Sequence, residues 1–270
     1  MSDYGLDDVF VGVCKGVMGR IAPDVRILDI CHLVAPQDVG QGATVFASAM
    51  SYLPTAVHLG LVDPRGATPT RGVAVRTADG SLLVGPDNGV LSLAWEVLGG
   101  PVAAYVLAND ALWLDTPSDT FRGRDVFAPV AAHLASGTPV AEVGPSVTVD
   151  GLVRLRVRDA VVDDDHVHAE VRNVDHFGNL SLNVARSDLE AAGMSLGDSV
   201  ELRCNGRSLT VPFTVTYGDV PPGRLALCED AFRAVTLAVN LGHAGRTLRV
   251  GRGDPIVISR IQQPAGSARR

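Results

Sequence analysis

The spacing of apolar residues changes character once along this chain, at Gly137, Thr138 and Pro139, and that change constrains the fold more than any other feature. Before it, short unbroken apolar runs alternate with stretches whose apolar residues recur at helical spacing. Residues 7–21, 38–50, 89–98 and 126–136 read as helices. Residues 25–30 read as a buried strand and 56–62 as a strand leading into a loop. Residues 72–76 and 82–84 read as paired strands across Asp79 and Gly80, a hairpin signal. Buried strands alternating with helices predict an α/β sheet. Beyond the change, residues 152–157, 167–174, 200–204, 209–216, 225–227, 236–239 and 255–261 read as short alternating strands. Only residues 187–192 look helical among them, and Asn205-Gly206 marks a tight turn. This half predicts a small antiparallel barrel or sandwich. The expected organisation is an N-terminal α/β domain over 1–142, a smaller β domain over 150–261, and a frayed tail over 262–270.

Composition excludes several function classes. The 270 residues are 46% hydrophobic, ample for a core. No apolar run approaches the ~18 residues that span a bilayer, and no charged stretch precedes an apolar one as in a secretory signal. A membrane partner is therefore not expected. Cys14, Cys31, Cys204 and Cys228 are scattered with no C-x-x-C spacing. Free thiols in a reducing, cytoplasmic setting are expected, without disulfides or structural zinc. The net charge is −7 and Lys15 is the single lysine among 23 basic residues. Nucleic acid is not expected as a partner, since such binding rests on clustered positive charge.

Six segments carry groups suited to binding or catalysis. Asp175, His176, Phe177, Gly178 and Asn179 fall at a strand break. Phe177 has the flat face that stacks on a heterocycle, and Asp175 and Asn179 can bond hydroxyls or an ammonium. The competing reading is a polar turn with a buried Phe. Asp3 sits in an early turn, with Asp8 at the start of a helix where a carboxylate caps amides. Asp63 follows a buried strand, the place where open α/β folds hold ligands; Asp63-Pro64 is also a turn former, and Arg71 follows the same loop. Gly85 to Gly89 read most simply as a turn plus helix cap. Arg122 and Arg124, ahead of a helix, offer an anion site or a surface pair with Asp125. His166 and His168 share a strand face behind Asp163, Asp164 and Asp165, more simply a solvated strand end than a metal site.

No dinucleotide fingerprint, phosphate loop or nucleophile elbow is present. In order, the segments are Asp3-Tyr4-Gly5 with Asp8, Lys15-Gly16, Ile21-Ala22-Pro23-Asp24, Asp29-Ile30-Cys31-His32, Pro36-Gln37-Asp38-Val39 and Val62-Asp63-Pro64. Then come Gly85-Pro86-Asp87-Asn88-Gly89, the run from Thr120 to Pro129, and Asp175-His176-Phe177-Gly178-Asn179. This ordered set, covering roughly residues 2–260, resembles the S-adenosylmethionine hydroxide adenosyltransferases and the related fluorinase and chlorinase. The resemblance implies attack of water or hydroxide at ribose C5′, with methionine leaving and adenosine formed, and no cofactor or metal. It implies a homotrimer whose sites pair one subunit's N-terminal domain with a neighbour's C-terminal domain. It also implies a substrate-binding set of Asp3, Asp8, Gln37, Asp175, Phe177 and Asn179, and a catalytic set of Asp63, Arg71 and Arg122.

The sequence departs from the family hydrolases at two places. The family's arginine position aligns with Thr70, one before Arg71, and its histidine position holds Arg122. An arginine does not deprotonate and cannot serve as general base. Asp63 is then the base within reach, or Arg122 steadies an anionic nucleophile directly. Halogenases also lack that histidine, but they carry tyrosine where Asp63 stands and an aromatic where Gln37 stands. A carboxylate beside the nucleophile repels halide. Hydroxide is the favoured nucleophile, with a chlorinase-like halogenase or a non-catalytic adenosyl-ligand binder as the alternatives.

Overall fold

A computed structural model describes residues 1–63 and 70–261 of the chain. Residues 64–69, and 262–270, read above as a frayed tail, lie outside the described residues. The chain divides into two compact units, Met1–Arg156 and Val157–Arg270.

The first unit contains α1 (Phe10–Ile21), α2 (Val39–Met50), β1 (Val57–Leu59), β2 (Gly72–Thr77), β3 (Leu82–Pro86), α3 (Ser92–Val97), β4 (Pro101–Val106), α4 (Ala128–Ala135) and β5 (Ser146–Val147). Its sheet has the order β1-β3-β2-β4-β5. β1 runs parallel to β3, and the other neighbours are antiparallel. β2 shows why its sequence is apolar at successive positions. Val73 and Val75 pack with Phe46, Met50 and Trp95 on one face, while Ala74 packs with Val130 and Leu134 on the other. A sheet covered on both faces needs a continuous hydrophobic run. Asp38 caps α2 by accepting a 2.9 Å bond from the Gln41 amide, the role this residue type plays at helix starts. The β2–β3 hairpin turns at Gly80, whose φ of 91° suits glycine.

Four expectations for this unit require correction. Residues 25–30 form no strand, and Val25, Ile27 and Leu28 are 36%, 37% and 57% exposed. The neighbouring bonds, from Ser2 to Cys31 and from Gly5 to His32, come just after the run, so no ladder orders it. Residues 152–157 form no strand either. There the Val153 and Leu155 amides bond to the Asp87 carboxylate and the Ser92 hydroxyl instead. α1 begins at Phe10, with Val9 before it and no side-chain cap, so Asp8 does not cap it. The helix expected from residue 89 begins at Ser92, because Gly89 has a φ of 97° that no helix accepts.

The second unit contains β6 (Val161–Asp163), β7 (His166–Val174), β8 (Leu180–Leu182), α5 (Arg186–Ala191), β9 (Ser199–Cys204), β10 (Arg207–Pro212), β11 (Leu225–Glu229), β12 (Val235–Val239), α6 (Ala244–Leu248) and β13 (Pro255–Arg260). The strands follow the order β10-β9-β13-β7-β8-β12-β11, with β6 added to β7. All these pairings are antiparallel. Just past β10, Phe213 bridges Leu227 of β11, and the Thr214 amide donates to the Leu227 carbonyl at 2.9 Å. The two ends of the order therefore meet, which makes a nearly closed barrel. β7 serves both sides, pairing with β13 from His166 to Glu170 and with β8 from Val171 to Val174, with a register shift between Val171 and Asn173. Such a bulge bends a strand from one sheet direction into another. Asn205 and Gly206, with φ of 47° and 68°, make the tight β9–β10 turn. Inside lie Val167, Leu202, Phe213, Leu237 and Ile258, all nearly inaccessible.

Candidate active site

A pocket of about 340 Å3 opens where three loops converge at the carboxyl ends of the parallel pair β1 and β3. It is lined by Asp3, Asp63 and Arg122, together with Tyr4, Phe10 and Phe121. Each polar residue arrives by a separate local device. Asp3 is held because Ser2 lies beside Leu61 in parallel register and the Asp3 amide donates to the Leu61 carbonyl at 3.3 Å. Its carboxylate accepts a 2.8 Å bond from the Gln37 amide. Gln37 reaches that geometry with a φ of 66°. So Gln37 meets Asp3 through its backbone. Burial pushes the Asp3 carboxyl above its ordinary value, against the Gln37 bond, with nearby Asp63 adding in the same direction.

Asp63 stands two residues past Leu61, and Thr70 donates its hydroxyl to the Asp63 carboxylate at 3.0 Å. Arg122 donates to the Thr70 carbonyl at 2.9 Å and lies over the Phe127 ring at 5.6 Å. Thr70 thus links the carboxylate and the guanidinium: its side chain holds Asp63 and its carbonyl holds Arg122. Arg122 enters a π-helical turn, Gly123–Phe127, that runs into α4. Turns of this kind recur at functional sites. Gly123 is required there, because an added Cβ would lie 2.0 Å from the Tyr4 hydroxyl. The Tyr4, Phe10 and Phe121 rings meet at 5.2 to 6.0 Å and form an aromatic wall. Burial raises the Tyr4 phenol far above its usual pKa, so it is a neutral hydroxyl.

The structure leaves Arg71 outside this group. Its guanidinium pairs with the buried Asp87 carboxylate and donates to the Gly151 carbonyl at 3.2 Å. Asp8 is exposed and does not line the pocket. Arg124 is committed to Asp125 by two bonds of 2.5 and 2.9 Å. Phe10 and Asp119, which do line the pocket, were not singled out in the sequence. Phe10 has the signal of an aromatic at a helix start beside Asp8, but only the fold brings it onto Phe121.

Asp175, Phe177 and Asn179 lie in the second unit, in the β7–β8 loop. The loop is closed by its own bonds: the Asn179 amide and side chain donate to the Asp175 carboxylate, both at 2.8 Å. Gly178 has a φ of 86°, and a Cβ there would meet the His243 ring at 2.2 Å. The Gly245 amide, at the start of α6, donates to the Gly178 carbonyl at 3.1 Å. His243 and Gly245 had no signal in the sequence that pointed to this loop. Phe177 is 72% exposed, which removes the reading of a turn closed over a buried Phe. His166 and His168 stack at 6.4 Å on β7. Among the described residues no group of three metal-ligating side chains gathers.

Comparison with known proteins decides the lineage. Residues 1–144 match the family described as SAM hydroxide adenosyltransferase N-terminal domain, and residues 169–257 match its C-terminal domain. The chain belongs to the S-adenosylmethionine hydroxide adenosyltransferase family. A (R)-S-adenosyl-L-methionine hydrolase of Salinispora tropica is 47% identical, covering 96% of this chain and 95% of the relative. A protein of the same name from Thermus thermophilus is 37% identical over 95% of this chain and 96% of its own length. A fluorinase of Nocardia brasiliensis is 32% identical over 81% of each. A solved structure from Thermotoga maritima, of an uncharacterized conserved protein, superposes with a TM-score of 0.90 at 36% identity, covering 96% of this chain and 98% of the other.

Proposed function

We propose that this member of the family hydrolyses S-adenosylmethionine by attack of water or hydroxide on ribose C5′. A C5′–O bond forms as the C5′–S bond breaks. The sulfonium sulfur leaves with the bonding pair as methionine, the water proton passes to a base, and adenosine remains. One observation supports this most: Asp3, Asp63 and Arg122, from three separate loops, line one pocket. The two relatives named (R)-S-adenosyl-L-methionine hydrolase above are 47% and 37% identical, against 32% for the fluorinase.

Each residue has a role in this reading. Asp3, half-buried and fixed by Gln37, accepts hydrogen bonds from the ribose hydroxyls. Asp63, oriented by Thr70, holds the attacking water and takes its proton. Arg122 is anchored on Thr70 and Phe127, so its position is set before substrate binds, and its charge steadies a hydroxide-like nucleophile. A sulfonium already leaves readily. Alignment and exclusion of water from the pocket therefore supply most of the acceleration. The β7–β8 loop completes the site in a homotrimer, with Asp175 receiving the methionine ammonium and Phe177 and Asn179 the adenine side, each loop donated by a neighbouring subunit. Arg71, tied to Asp87, has a scaffolding role in this account, and Asp8 no direct one.

Product analysis tests the reading. Protein incubated with S-adenosylmethionine, with and without high chloride, is followed by liquid chromatography. Adenosine and methionine in equal amounts, insensitive to chloride, support hydrolysis. A chloride-dependent 5′-chloro-5′-deoxyadenosine peak overturns it in favour of a halogenase. Binding without product assigns a ligand-binding role.

A further inference from the structure

The turn that carries Asp3 is tied to residues 31 and 32 by more than its backbone. The Ser2 amide donates to the Cys31 carbonyl at 2.9 Å, and the Gly5 amide to the His32 carbonyl at 2.8 Å. Between these two bonds the Ser2 hydroxyl lies 2.7 Å from His32 Nδ1, and the Tyr4 amide donates to the Ser2 oxygen at 3.3 Å. Ser2 Oγ thus holds both neighbours of Asp3, itself on one side and Tyr4 on the other, against the His32 ring.

The row of contacts continues beyond the ring. His32 Nε2 lies 3.1 Å from one oxygen of the Asp29 carboxylate, and Lys15 of α1 donates to the other at 2.6 Å. The Lys15 bond holds the Asp29 carboxyl below its ordinary range, so it is ionised and can only accept. His32 Nε2 therefore carries a proton. Burial lowers the His32 pKa against the pull of Asp29, which keeps the ring neutral and makes Nδ1 an acceptor. The Ser2 hydroxyl must then donate to Nδ1, which leaves its oxygen to accept from Tyr4. Each hydrogen bond from Lys15 to Tyr4 has a single allowed direction. Serine, histidine and aspartate in line are also the parts of a nucleophilic triad. Here Ser2 is 2% exposed and its oxygen is taken by the Tyr4 amide, so no substrate carbonyl can approach it.

We propose that Ser2 and His32 are positioning residues for Asp3. Lys15 and Asp29 fix the His32 tautomer, His32 fixes the Ser2 hydroxyl, and Ser2 fixes the main chain on either side of Asp3. The Asp3 amide is held by the Leu61 carbonyl, and its carboxylate by the Gln37 amide. The Ser2–His32 bond supplies the third point, which stops the turn from rotating about the other two. The carboxylate then faces the pocket in one orientation before a ligand arrives. This inference rests on the reading that Asp3 accepts hydrogen bonds from the ribose hydroxyls. A site built around such bonds rejects a ligand that lacks the hydroxyls, so the positioning shows in that discrimination.

Calorimetric binding of adenosine and of 2′,3′-dideoxyadenosine to the full chain tests it. The unaltered protein prefers adenosine by at least about tenfold, as hydrogen bonds to a charged group allow, and Asp3→Asn removes most of that preference. Ser2→Ala and His32→Leu each weaken adenosine binding by about three- to tenfold and leave dideoxyadenosine within about twofold. His32→Asn, whose side-chain amide keeps an acceptor near the place of Nδ1, recovers most of what His32→Leu loses. In an Asp3→Asn background Ser2→Ala has no further effect, since nothing remains to be positioned. Ser2→Ala removes one oxygen and decides the matter however well His32→Leu folds. Equal losses for both ligands in Ser2→Ala, or full additivity with Asp3→Asn, would overturn the positioning role alone. No preference for adenosine in the unaltered protein, or one that survives Asp3→Asn, would overturn the ribose reading and the positioning role with it.

Discussion

Thr70 joins the two residues on which the proposed chemistry rests, Asp63 through its hydroxyl and Arg122 through its carbonyl. If Asp63 is the base, Asp63→Asn lowers kcat by about 10² to 10⁴, the usual span for a positioned base. Calorimetric affinity for S-adenosylmethionine stays within a few-fold. Unchanged turnover would remove Asp63 from the mechanism. A second prediction concerns His58, which is buried with Nε2 lacking a hydrogen bond and packs on Phe46. Burial lowers its pKa below 6.5. Above that pH the ring is neutral in folded and unfolded chains alike. Below it the unfolded chain takes up the proton first, so the fold loses stability as pH falls from 6.5 through the lowered value. His58→Phe should flatten this part of a stability-against-pH curve; an unchanged slope contradicts the assignment. At this scale the sequence was informative where a residue stands in its own motif, as with Asp3, Asp63 and Arg122, which line one pocket. It was silent where partners are distant, as with the Arg71–Asp87 pair, the Gln37 backbone bond to Asp3, and Phe10 on Phe121.

Two glycines set the geometry of whole elements. At Gly123 the π-helical turn closes over Tyr4, whose ring is wedged between Phe10 and Phe121. Gly123→Ala forces that wall to move, at a cost of about 1 to 3 kcal/mol for overpacking, and should raise KM; a variant with native stability and KM would contradict the contact. At Gly178 a side chain meets both a left-handed φ and the His243 ring. Gly178→Ala should displace the β7–β8 loop from α6 and weaken binding of the methionine end, read as a KM increase with thermal unfolding measured alongside. Element types were largely legible from periodicity: the β2–β3 and β9–β10 turns follow from Asp79-Gly80 and Asn205-Gly206. Residues 25–30 and 152–157 show the limit of such reading. An apolar, alternating run states that a segment suits a strand, whereas a strand needs a neighbour with open hydrogen bonds. In one case no ladder is present among the described residues, and in the other Asp87 and Ser92 take the amides.

At the scale of the whole molecule, the fold supplies an α/β unit that presents Asp3, Asp63 and Arg122 and a barrel unit that presents Asp175, Phe177 and Asn179. The homotrimer of the proposed function predicts a solution mass three times the 28.2 kDa of the chain. It also predicts that inactive Asp63→Asn and Asp175→Asn variants regain activity when unfolded together and reassembled, since mixed trimers then contain intact sites. A monomeric mass, or no recovery on mixing, contradicts shared sites. The central claim is that a water oxygen attacks C5′, and the most direct measurement is turnover in water enriched in oxygen-18 with mass analysis of the product. The account predicts adenosine carrying one heavy oxygen at the 5′ position, with unlabelled methionine. Unlabelled adenosine, or a product lacking a 5′ oxygen, would contradict it.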